Sequence, residues 1–143
     1  MTAEPLLIDS QAKLRAAFEL VFASTATYKP FVAGRIYSPK EREPYDALSD
    51  RFLRAFESSL KFFRTWERAR EANVSETYRD LLLRMEKLGL ISGLAEWIAL
   101  RDLRNRVVHD YLPDELAALY AAIIGEAVPE FRRLEAAVAD RLR

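Results

Sequence analysis

The sequence predicts an all-α fold, an antiparallel four- or five-helix up-and-down bundle with a kinked C-terminal helix. Apolar residues recur at steps of three and four in five separate segments, the period of a helix with one buried face. No segment shows the alternation in twos expected of a half-buried strand. Four glycines among 143 residues are also too few for the tight turns of a sandwich or barrel. The length suits a single domain over residues 1–143, large enough to bury a substantial core.

The first helix is expected over about 10–27, with Asp9 or Ser10 as N-cap and Leu14, Phe18, Val21, Thr25 and Tyr28 on one face. Residues 28–44 hold three prolines and a glycine and read as a connecting loop. Within it "SPKE" has the form of a capping box, but Pro44 would interrupt a helix begun there, so Ser38 is expected to start only a turn. The second helix, about 45–71, repeats Tyr45, Leu48, Phe52, Ala55, Ser59, Phe62 and Trp66. Leu53, Phe56, Leu60 and Phe63 widen that stripe, so this helix should touch several neighbours.

Ser75 is expected to cap the third helix, which carries Tyr78, Leu81, Leu82, Met85 and Leu88 and stops at Gly89. The fourth runs from near Ser92 to about Tyr111, ended by Pro113. The last begins at Pro113 or Asp114 and keeps its period through Pro129. One kinked helix therefore fits better than two, with Gly125 relieving part of the proline clash.

Composition narrows the function. Twenty-two basic and 22 acidic residues cancel, so any anion binding must come from a local cluster. With no cysteine, disulfides and thiolate catalysis are excluded, and a lone histidine makes no typical structural zinc site, so no metal or cofactor is expected. The opening "MTAEPLLIDS" does not read as a secretion signal, and the longest apolar run is about half a membrane span. A cytoplasmic protein without a membrane partner is the expectation. Phosphate loops, Glu-x-x-His motifs and Gly-x-Ser-x-Gly elbows are absent. Trp66 and Trp97 lie on apolar stripes and read as core, and Glu126 with Glu130 as a solvated pair.

The stretch "RDLRNRVVHDY", residues 101–111, sets the only histidine among three arginines. On a helix, Trp97, Leu100, Leu103, Val107 and Tyr111 face inward, and Arg101, Asn105 and His109 follow one another at i,i+4 on the next stripe. Arg104 falls about 140° around the axis from His109. Either its guanidinium wraps around a substrate, or a second copy of the chain completes the site. The residue types suit phosphodiester cleavage. Imidazole exchanges protons near neutrality, Arg offers phosphate a planar charged fork, and Asn105 can orient the imidazole or the substrate. With the internal 2′-OH of RNA as nucleophile, no metal is needed. A charged helix end that happens to hold a histidine accounts for the same residues, since arginines there complement the helix dipole.

Arg104-Asn105-x3-His109-x-Tyr111 resembles the R-N-x3-H-x-Y signature of the HEPN superfamily, specifically its HepT-like branch. "YDALSDRFLRAFESSLKFF", "LLLRMEKLGLIS" and "EWIALRDLRNRVVHDY" resemble that family's long second helix, its Gly-Leu-Ile turn and its motif helix, and the likeness covers roughly residues 10–140. The resemblance implies a homodimer with paired motif helices lining a cleft, acting beside a minimal nucleotidyltransferase (MNT) as a toxin–antitoxin pair. It implies a metal-independent endoribonuclease in which Arg104 and His109 are the catalytic pair and Asn105 their polar neighbour. Arg101, outside that motif, is expected to support phosphate binding. Tyr111 matches the tyrosine that the transferase antitoxin modifies with AMP in some systems. Some relatives are instead described as non-catalytic nucleotide- or substrate-binding subunits of the transferase, which is the alternative reading. The proline-rich stretch between Ser38 and Pro44 departs from the family pattern.

Overall fold

Hydrophobic periodicity becomes five helices among the described residues, which in this computed structural model are 3–109 and 112–143. Helix α1 spans Ala3–Ala26, starting earlier than expected. The extra turns bury Leu7 completely, and the ion pair of Glu4 with Arg70 ties the first turn to the far end of the second helix. Apolar contact there outweighs the Asp9 and Ser10 cap signals.

Helix α2 spans Pro39–Trp66 and continues through a π turn at Glu67–Glu71. Its start corrects the expectation that Ser38 begins only a turn. Ser38 Oγ accepts from the Glu41 N–H at 3.1 Å, and Glu41 Oε1 accepts from the Ser38 N–H at 3.0 Å. Arg35 ion-pairs with the same carboxylate. Pro44 stands only six residues in, so it removes a single bond near an exposed end, while Tyr45, Leu48 and Phe52 bury the face that follows.

Past the π turn, Ala72 adopts a left-handed conformation (φ 49°) and reverses the chain. Ser75 does not cap α3. It is buried and donates from both its N–H and its Oγ to the buried Glu67 carboxylate, which also lies 3.0 Å from Arg84. Thr77 takes the cap instead, accepting from the Asp80 N–H at 3.0 Å. Helix α3 is Tyr78–Lys87. It ends as predicted at Gly89 (φ 76°) in a Schellman motif, with Gly89 N–H to Glu86 O and Leu90 N–H to Met85 O, both 3.0 Å.

Helix α4 covers Leu94–Val107. Helix α5 joins Pro113–Ala122 to Val128–Arg141 through a π turn at Ile123–Ala127. The break expected at Pro129 takes this form: the Val128 N–H reaches back five residues to Ile123 O, one position before the proline that has no N–H. A Cβ at Gly125 would touch nothing, so the wider turn rather than space at Gly125 accommodates the proline.

The four long helices alternate in direction, and α3 lies in the α2–α4 connection. Arg51 of α2 bonds Ser24 near the end of α1, whereas Arg70 meets Glu4 at its start, so the two run antiparallel. The core is aromatic. Phe131 of α5 stacks on Phe18 of α1 at 4.9 Å, and fully buried Trp97 of α4 lies 5.1 Å from Phe63 and 6.1 Å from Phe56 of α2. Trp66 and Trp97 are core, as predicted. Glu130 is not solvated: it is buried on α5 and accepts from Ser92 Oγ and from Arg133 at 2.9 Å, while Glu126 is exposed.

Candidate functional site

The motif helix is shorter than its sequence suggests. It stops at Val107, with Val108 as C-cap, and the His109 N–H bonds Arg106 O at 3.2 Å in a closing turn. Pro113 requires an extended Leu112 (φ −67°, ψ 157°), so the chain leaves the helix early to reverse into α5. The expected i,i+4 stripe therefore holds for Arg101 and Asn105 but not for His109. Tyr111, expected on the inward stripe and as AMP acceptor, lies outside the described residues, as does Asp110.

Arg104 turns toward α2, where its Nη2 lies 2.8 Å from Glu57 Oε1, and its Nη1 donates to Asn105 Oδ1 at 3.1 Å. Arg101 lies over the Tyr78 ring of α3 at 5.1 Å. Burial pushes the Tyr78 phenol well above its ordinary pKa, with Arg101 opposing, and the hydroxyl donates to Trp97 O at 3.1 Å. Arg101, Arg104 and Asn105 thus gather beside the middle of α2 and the start of α3.

His109 is elsewhere. It is exposed on the wall of a cleft of about 450 Å³ between the 28–38 loop, the first turns of α2 and the start of α5. Ser49 of α2 lines this cleft, whereas Glu57, the partner of Arg104, lies eight residues further along, about 12 Å at helical rise. Within one chain the motif is split. Arg104 and Asn105 are in contact and Arg101 lies on the same helix, whereas His109 lines a cleft to which none of the three contributes.

The cleft has arginines of its own, Arg35 and Arg42, within the 28–44 stretch expected to be a connecting loop. Arg35 lies 4.7 Å over the Tyr37 ring, which stacks on Phe31 at 4.5 Å, and its charge is answered by Glu41. Arg42 lies 5.9 Å over Phe31 and acts electrostatically on the Tyr120 hydroxyl. Burial raises the Tyr120 phenol, and Arg42 acts against that rise. Among the described residues, no carboxylate comes within 4.0 Å of the Arg42 guanidinium. The signal for Arg42 was the capping box at Ser38: once it is read as a true helix start, Arg42 and Asp46 fall at i,i+4 on its first turns.

Over 77 residues the sequence is 30% identical to the "Probable ribonuclease HepT" of Haemophilus influenzae. The likeness to that protein is confined to this stretch. The match takes in 51% of this chain and 53% of its relative, so the chain spans about half the length of the curated relative it matches. No family model matches it, and no solved structure matches it significantly. The match supports the HepT/HEPN relationship read from the Arg104–His109 segment and the helix order. No helix among the described residues is long and apolar enough to cross a membrane.

Proposed function

We propose that the chain is a HepT-like endoribonuclease toxin, a cytoplasmic protein paired with an MNT-family nucleotidyltransferase antitoxin, cleaving RNA without a metal ion. The similarity to a protein named a probable ribonuclease carries this reading. The position of the lone histidine on the wall of an arginine-bearing cleft supports it.

In this reaction the substrate's own 2′-oxygen attacks the adjacent phosphorus while the bond from phosphorus to the 5′-oxygen breaks. His109 takes the proton from the 2′-OH or returns one to the leaving 5′-oxygen. Arg104 leaves Glu57 to meet the phosphoryl oxygens as their charge rises in the transition state. Asn105 steadies Arg104 through its Oδ1, and Arg101 adds charge toward the neighbouring phosphate. The split between Arg104 and His109 within one chain favours a homodimer in which the Arg104 of one copy approaches the His109 of the other across facing α4 helices. AMP placed on Tyr111 by the transferase would bring negative charge to the motif, two residues along the chain from His109, and occupy the arginine that RNA needs.

The test is purified protein, freed of its partner, incubated with RNA in EDTA. The expected products carry 2′,3′-cyclic phosphate ends. His109→Ala abolishes them and Arg104→Ala slows them by about a hundredfold or more. Intact RNA with the wild-type protein, or unchanged cleavage by His109→Ala, refutes the reading. The Arg104–Glu57 pair is the observation that favours the alternative of a non-catalytic nucleotide- or substrate-binding subunit, because it already answers the charge that cleavage would need.

A further inference from the structure

The cleft beside His109 contains more chemistry than the Arg-x4-His motif uses. Arg42 is half-buried on its wall, lying over the Phe31 ring and sharing the cleft with Tyr120, with no carboxylate within ion-pair distance among the described residues. A guanidinium so placed has lost part of its hydration and presents its remaining donors to the cleft, an arrangement that favours a phosphate. Arg35 does not compete for that role, because Glu41 already neutralises it. One and two turns along α2 from Arg42, Asp46 and Ser49 line the same space. An ionised carboxylate accepts hydrogen bonds and repels a phosphate, so Asp46 suits a sugar hydroxyl rather than the anion. The volume of about 450 Å³ is in the range of small-ligand sites.

We propose that this cleft is a ribonucleotide subsite within a single chain: Arg42 binds the phosphate, Asp46 accepts from the ribose 2′-hydroxyl, and His109 stands beside the bound phosphate. The proposal rests on the reading of the chain as acting on RNA, and it adds residues outside the motif. It divides the work between copies. Arg42 of the chain that supplies His109 holds the substrate, and Arg104 arrives from the other side of the scissile phosphate. Arg42 is a binding residue here, and Asp46 selects RNA over DNA.

The lone histidine makes the test direct, since the 143-residue chain gives one set of imidazole NMR signals. Adenosine 3′-monophosphate is expected to shift them in a saturable way, and adenosine at the same concentration is expected not to. Arg42→Gln weakens that binding about tenfold or more, and Arg42→Lys, which keeps the charge but loses the fork, falls between. Asp46→Asn removes the preference for adenosine 3′-monophosphate over its 2′-deoxy counterpart. Circular dichroism on each variant reports folding, and Arg42→Lys preserves the test if Arg42→Gln does not fold. Absence of any imidazole shift at millimolar adenosine 3′-monophosphate, or equal affinity in wild type and the Arg42 variants, overturns the proposal. A protein that binds the mononucleotide through Arg42 yet leaves RNA intact upholds the subsite and refutes the ribonuclease reading. One that cleaves RNA with no such binding does the reverse.

Discussion

Glu57→Gln preserves the size of a side chain on α2 and removes the charge that holds Arg104. The ion pair is 2.8 Å long, with Arg104 41% and Glu57 44% exposed. A pair this open to water contributes about 0.2–1 kcal/mol, because screening and the ordering of two long side chains offset most of the attraction. In the proposed reaction Arg104 exchanges Glu57 for phosphate, so the same free energy opposes substrate capture. With RT near 0.6 kcal/mol, removing it raises kcat/KM about 1.4- to 5-fold. The melting temperature falls by about 4 °C at most. The assay is initial-rate cleavage of a fluorogenic RNA in EDTA at substrate concentrations well below KM, with a thermal melt on the same preparation. A loss of tenfold or more in kcat/KM at an unchanged melting temperature would refute the reasoning. Glu57 would then be aiming Arg104 at the phosphate rather than competing for it.

The proposed dimer predicts twice the chain mass by light scattering at micromolar concentration, and cross-linking between introduced cysteines on the two α4 helices; a monomer that still cleaves RNA defeats it. Incubation with a cognate transferase and ATP should place AMP on Tyr111 in peptide mass spectra and silence cleavage, and Tyr111→Phe should stay active; AMP confined to other residues counts against that role. Gly89→Ala forces a side chain into left-handed backbone (φ 76°) and displaces the flexible end of Arg141, so it should destabilise the fold by about 1–2 kcal/mol in urea denaturation. Bonds from Ser38 hold the Glu41 carboxyl below the usual carboxylate range, with Arg35 assisting. Its contribution to the start of α2 is therefore full above the ordinary carboxylate pKa and is lost as pH falls through the lower folded-state value. Wild type and Glu41→Gln should differ in melting temperature at neutral pH and converge in acid.

The sequence by itself determined the helices whose faces repeat over many turns. Burial of Phe52, Phe56, Phe63, Trp97 and Phe131 follows from their spacing, because a helix that hides a stripe of rings has few alternatives. Gly89 as a stop was equally legible, since only that residue relaxes into left-handed backbone without strain. Where local signals competed, tertiary contacts decided. Ser75 has the chemistry of a cap but is drawn to the buried Glu67 carboxylate, leaving the role to Thr77, and Glu130 looks solvated in one dimension yet meets Ser92 from 38 residues away. The site follows the same rule. Its residue types and their closeness along the chain are written in residues 101–111, but α4 ends at Val107, which takes His109 off the helix that carries Arg104. Only the packing of the 28–38 loop and the α2 start against α5 brings Arg42 and Asp46 beside that histidine, because contacts across more than sixty residues of chain leave no periodic trace in the sequence.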